Sequence, residues 1–179
     1  MQEPLANYDI RNSTLADIDG IFRLYKSATE FQKTKFIVAW PEFDRGMVEN
    51  EIREDRQWKL LIDNQVACIW AIAFSDPLIW EEKNADAAMY IHRIATNPAF
   101  RGKKLVAGIV EWAKKYAREN RIQFIRMDTV GDNTKLIEYY KSFGFTFLGY
   151  SKLKNTQGLP AHYNNSTVCL FELMVPEHV

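Results

Sequence analysis

The sequence predicts a mixed α/β domain around a central sheet, and three observations predict it. Segments with period-2 apolar alternation are interspersed with segments whose apolar residues recur every three or four positions. Their order along the chain is a strand, two helices, three strands, a helix, a strand, a helix and two strands. No internal repeat, linker or low-complexity run divides the chain, and 179 residues suit one well-buried core, so residues 1–179 are expected to form a single domain.

The elements follow in order. "YDIRNST" alternates as a first strand, and Thr14 then precedes a helical stripe of Ile18, Ile21, Phe22 and Tyr25. The segment "TKFIVAWPEFDRGMVENEIREDRQ" starts as an apolar loop and turns helical, with Phe43, Met47, Val48 and Ile52 on its buried face. Pro41 would sit just inside that helix start, where no donor is lost. "WKLLID" and "QVACIWAIAFSD" read as strands joined by a short hairpin at "NQ". "LIWEEKNADA" reads as a loop and "AMYIHRIATN" as a strand. A long helix then occupies "NPAFRGKKLVAGIVEWAKKYAREN", followed by the strand "QFIRMDTV" and the helix "NTKLIEYYKSFG". The strand "FTFLGYSKL", the loop "KNTQGLPAHYNNS" and the strand "TVCLFELMV" complete the chain.

Composition narrows the function classes. The 23 basic and 23 acidic residues cancel, so no overall basic field argues for nucleic acid or a membrane surface. No run reaches the roughly 20 apolar residues of a membrane span, and the N-terminus lacks the pattern of a secretory signal. Cys68 and Cys169 lie in apolar strands without metal or redox spacing and are expected to be buried thiols, and no metal site is expected. A cytoplasmic protein is the resulting expectation.

Within this neutral chain, one helix begins with three cations, Arg101, Lys103 and Lys104, at the end that the helix dipole already makes positive. The arrangement repels itself unless an anion sits there. Amides at a helix start point outward and favour phosphate, and Gly102 helps the backbone turn close to it. The same cations would also suit a solvated surface.

The run from Ile94 to Gly144 resembles the GNAT superfamily of acyl-CoA-dependent N-acetyltransferases. "IATNPAFRGKKLVAGIVEWA" is similar to the family's strand, R/Q-x-x-G-x-G/A turn and helix. "NTKLIEYYKSFGF" is similar to its second signature, with Asn133, Tyr140, Gly144 and Phe145 in register. The resemblance implies a mostly antiparallel sheet of about six to seven strands flanked by about four helices. It also implies acetyl-CoA as acyl donor, held by Ile94, Ala95, Thr96, Arg101, Gly102, Lys103, Lys104, Leu105, Val106, Asn133 and Tyr140. Lys104 and Val106 depart from the family's small residues. Backbone amides survive both substitutions if Lys104 needs no positive φ, and otherwise a bulkier turn narrows the groove.

Acetyl transfer to an amine requires deprotonation of the ammonium, a donor to the developing oxyanion and a proton for the departing thiolate. By resemblance Tyr140 is the candidate acid, although it also continues the apolar stripe of Leu136, Ile137 and Phe143. Tyr139 lies off that stripe. Alternation would place Tyr90, His92 and Ile94 on one face of their strand and Ile91, Arg93 and Ala95 on the other. The glutamate that the family often carries near Tyr90 is missing, and His92 is the candidate base in its place. Trp40, Phe43, Tyr90 and His162 are the expected acceptor-binding residues, with Glu42 and Asp44 as nearby carboxylates for a cationic amine. The expected activity is N-acetylation of a primary amine on a small molecule or amino acid derivative. A non-catalytic acyl-CoA-binding or sensing domain is the alternative, and a homodimer through an exposed edge at the last strands is compatible with either.

Overall fold

The computed structural model describes residues 7–35 and 38–176. Residues 1–6, Phe36 and Ile37 of the expected apolar loop, and residues 177–179 lie outside the described residues. The strands are β1 (Tyr8–Asn12), β2 (Gln57–Ile62), β3 (Gln65–Ala73), β4 (Ala88–Thr96), β5 (Phe124–Val130), β6 (Thr146–Lys152) and β7 (Thr167–Met174). The helices are α1 (Ile18–Thr34), α2 (Arg45–Arg53), α3 (Pro77–Trp80), α4 (Leu105–Glu119) and α5 (Thr134–Lys141). All seven strands form one sheet in the order β1-β2-β3-β4-β5-β7-β6. Every neighbouring pair is antiparallel except β4 and β5, which α4 connects as a parallel crossover.

Helices cover both faces of the sheet. Leu105, Val106, Ile109, Val110, Ala113 and Ala117 of α4 recur at helical spacing and pack with Ile137 and Tyr140 of α5 against Leu60, Trp70, Met89, Ile125 and Phe171. On the opposite face, Ile18, Ile21 and Tyr25 of α1 meet Phe43, Val48 and Ile52 over Ile69 and Ala95. Gly108 lets α4 approach β1 and β2 closely, because a Cβ there would lie 3.3 Å from the Tyr8 ring.

Local chemistry moves several boundaries from those expected. Pro41 precedes α2 rather than opening it; Asp44 is the N-cap, and its side chain accepts from the Met47 amide at 2.8 Å. The β2–β3 turn is Asp63-Asn64, with φ of 50° and 61°, the two left-handed residues that a tight hairpin needs. The expected loop after β3 instead contains α3 and a 3-10 turn over Glu81–Ala85. Pro77 at its first position and the burial of Ile79 and Trp80 explain the helical turn.

Two features of β4 shape the site. First, β4 and β5 pair only from Ala88 to Tyr90 against Phe124 to Arg126. Beyond that point β4 continues along β3 to Thr96 and β5 along β7 to Val130, so the two strands part as a wedge. Second, the register with β3 slips between Ile69 and Ala71, and Arg93 adopts φ of 50°. This bulge breaks the expected alternation. Arg93 and Ala95 fall on the same face as Tyr90 and His92, while Ile94 turns to the α4 face.

Candidate active site

The wedge opens into a cavity of about 620 Å³. One end is the turn before α4. Lys104 has φ of 52° and ψ of 41°, so this turn does use a left-handed residue where glycine would be unstrained, contrary to the condition drawn from the sequence. The groove stays open nonetheless, because Val106 is buried in the core contact of α4 and both residues line the cavity wall. The amides of Gly102, Lys104, Leu105 and Val106 have no acceptor among the described residues, whereas Arg101 and Lys103 donate to Pro98 and Phe100 carbonyls. These outward amides, with the cations of Arg101 and Lys104 beside them, fit a diphosphate. The unpaired edge of β4 from Ile94 to Thr96 fits an extended amide-containing arm.

Several expected coenzyme residues take other roles. Asn133 is the N-cap of α5 and accepts from the amides of Lys135 and Leu136 at 3.0 and 3.2 Å. Ala95 packs against Ile69 on the far face of the sheet, outside the cavity lining. Lys103 is exposed, its ammonium 5.3 Å from the centre of the Phe100 ring. Arg101 lines the cavity with its guanidinium 4.2 Å over the Phe31 ring of α1. Leu105 also lines it.

Tyr140 of α5 lines the cavity, its ring packed 5.3 Å from that of Phe171. Burial, and then Tyr139, raise its phenol above the ordinary range, so it holds its proton at neutral pH. Tyr139 also lines the cavity, although it lies off the apolar stripe.

Trp40, Phe43 and His162, three of the expected acceptor-binding residues, line the same cavity. Phe43 lies 5.2 Å from the Tyr25 ring and 6.3 Å from His162. His162 arrives on the 3-10 turn Ala161–Tyr163; burial and then Arg93 lower its pKa to about 4. Tyr90, by contrast, is outside the lining. Its hydroxyl accepts from buried Arg126 at 3.3 Å and its ring packs on Trp80. Glu42 is exposed and Asp44 is committed to its cap, so neither supplies the anticipated carboxylate.

Carboxylates come instead from two residues that sequence reading missed, Asp76 and Asp128. His92 sits between them, with Nε2 3.4 Å from Asp76 Oδ2 and Nδ1 4.0 Å from Asp128 Oδ1. Asp128 Oδ2 accepts from the Tyr163 hydroxyl at 2.7 Å. Burial, then the charge of Asp128, raise Asp76 to about 7, and burial raises Asp128 to about 6. Burial, then Arg93 and Arg56, lower His92 to about 3. The imidazole is therefore neutral at pH 7, as a base must be, but is a weaker base than its sequence context promised. Asp76 follows a strand in a polar turn and Asp128 sits mid-strand, so no local pattern marked either.

The comparisons agree with this geometry. Residues 22–145 match the acetyltransferase (GNAT) family. An uncharacterized N-acetyltransferase, YesJ of Bacillus subtilis (strain 168), is 30% identical over 74 residues, which is 41% of each chain; the matched stretch thus spans well under two thirds of that relative. A GNAT-family acetyltransferase from Listeria monocytogenes 4b F2365 superposes with a TM-score of 0.74 at 22% identity, covering 94% of this chain and 95% of that one. Another from Streptococcus agalactiae 2603 also gives 0.74, at 17% identity, covering 98% and 99%. Among the described residues no helix is long and apolar enough to cross a membrane. The wedge between β4 and β5, the free amides before α4 and the family match converge on one conclusion: the chain belongs to the GNAT family of acetyltransferases.

Proposed function

We propose that the protein transfers the acetyl group of acetyl-CoA to a primary amine of a small molecule or amino acid derivative by direct attack, with Tyr140 as general acid. The supporting observation is the single cavity that runs from the unpaired amides before α4, past the open edge of β4 and Tyr140, to Trp40, Phe43 and His162. Bound acetyl-CoA supplies an activated thioester. Arg101, Lys104 and the turn amides hold its phosphates, and the β4 backbone orients its arm. Overall, an ammonium and a thioester give an amide, a thiol and one proton. Tyr140 delivers a proton to the sulfur and regains one from the amine nitrogen.

The buried thiols Cys68 and Cys169 suit a reducing compartment, and the cytoplasm is part of this reading. So is a homodimer through the outer edge of β6, where Leu148 and Tyr150 are exposed. The test is an amine panel screened for free thiol release from acetyl-CoA. Transfer to at least one primary amine is expected, and coenzyme binding with no transfer to any amine would reject the reading.

A further inference from the structure

We infer that Asp76, Asp128 and His92 form the seat for the acceptor's ammonium group and take its proton, and that the acceptor is a primary alkylamine with an apolar or aromatic body. This rests on the transferase reading above.

Geometry carries the assignment. One ligand atom from each of the three side chains lies within 4.8 Å of the others, close enough to surround one small cation. Among the described residues, Asp76 and Asp128 are the only carboxylates that line the cavity. Asp76 is 8% exposed, and its Oδ2, facing His92, is fully buried without a hydrogen-bond partner. Asp128 is 2% exposed at its side chain, and Tyr163 satisfies only its Oδ2. A buried carboxylate left unpaired beside a second one is costly, and a cation delivered by a ligand offsets that cost. The nearby guanidiniums do not serve: Arg93 is spent on Glu51, and Arg56 on Glu54 and the Ile72 carbonyl.

The same placement defines the acceptor. The cavity that holds the carboxylates is also lined by Trp40, Phe43, Met47, Ile79, Val130 and Leu159, and its one other charged group near them, Arg93, is paired with Glu51, which favours an apolar body over a second charge. The proton step balances simply. An N–H bond of the ammonium breaks, an O–H bond forms on one carboxylate, and the neutral amine keeps the lone pair it needs. His92, which turns one ring nitrogen toward each acid, relays that proton between them, and solvent takes it when the product leaves. The groups that face the cluster are Arg93 of β4, Arg56 before β2, Tyr163 of the β6–β7 loop, Tyr90 and Tyr140.

The experiment uses 2-phenylethylamine, charged at neutral pH, and phenylhydrazine, uncharged there, as acceptors for wild type, Asp76→Asn and Asp128→Asn. Acetyl-CoA binding by calorimetry and thermal melting establish that each variant is folded and loaded. Each substitution is expected to lower kcat/KM for 2-phenylethylamine by about 100-fold and for phenylhydrazine by less than about 5-fold. Calorimetry of 2-phenylethylamine with the CoA-loaded protein should show at least about 10-fold weaker binding in both variants. Equal losses for the charged and uncharged acceptors overturn the inference, as does activity abolished by EDTA and restored by a divalent metal. Failure of 2-phenylethylamine to bind the loaded wild type overturns it too. If the amine binds as expected and no acetyl transfer follows, the seat stands and the transferase reading falls.

Discussion

Arg93, at the left-handed residue of the β4 bulge, closes a buried ion pair with Glu51 of α2, while its Nε donates to the Tyr25 hydroxyl at 3.2 Å. Gln57 joins the network by donating to Glu51 at 3.0 Å and to Tyr25 at 2.9 Å. The bulge is thereby tied to α1, α2 and β2, and the guanidinium lies 5.2 Å over Phe43 at the cavity wall. Removing one partner leaves a buried charge alone. Glu51→Ala should cost about 3–5 kcal/mol in urea denaturation, and Glu51→Gln clearly less because the amide still accepts hydrogen bonds. Equal losses would mean that packing, not charge, holds the bulge.

Arg101 is held by stacking on Phe31 as well as by any phosphate. Arg101→Ala should weaken acetyl-CoA binding by about 1–3 kcal/mol and flatten its salt dependence, read by calorimetry at two ionic strengths. An unchanged affinity would leave the anion site to the backbone alone.

Tyr140→Phe removes one oxygen from a ring that packs on Phe171 and keeps the packing. The expected result is kcat lower by about 100-fold with coenzyme KM little changed. An unaffected rate would take the acid role from this residue.

The raised pKa of Asp76 makes its contribution to stability greatest below its unfolded value of 3.8 and progressively lost as pH rises through about 7. His92 works in the opposite direction. Its lowered pKa means that stability is lost as pH falls from its unfolded value of 6.5 toward about 3. Asp76→Asn should therefore be more stable than wild type by about 1–3 kcal/mol near pH 8, with the difference vanishing near pH 4. A difference that does not vary with pH would show that Asp76 is not protonated more readily in the folded state.

Lys104→Gly relieves a left-handed side chain and should raise stability by about 0.5–1 kcal/mol after the added flexibility of the unfolded chain is counted. Lys104→Ala keeps the strain and should not. Melting curves of the pair separate backbone strain from loss of the ammonium.

Much of this fold was legible in the sequence because its signals are local. The stripe of α4, the apolar runs of β2 and β3, and the two motifs around Arg101 and Tyr140 are each short in sequence, and the family follows from them. What escaped depends on contacts across the chain. The alternation of β4 failed at Arg93 because the bulge is stabilised by Glu51, 42 positions away. Tyr90 was misplaced because Arg126, a charge on β5 with no local sign of burial, claims its hydroxyl. The carboxylates beside His92 went unseen because Asp76 and Asp128 meet only when β3 and β5 flank β4, and Glu42 and Asp44 were better placed in sequence though not in space.

The short pairing of β4 with β5 has a mechanical consequence. The sheet behaves as two leaves, β1 to β4 and β5 to β7, joined by three residue pairs at one end. Arg126 is the rivet at that end. Wholly buried, it reaches Glu172 of β7, the Lys83 carbonyl and Asp86 just ahead of β4, so both leaves are pinned to a single guanidinium. A molecule lodged between the free ends of the two leaves lies at the opposite end of the sheet from that anchor.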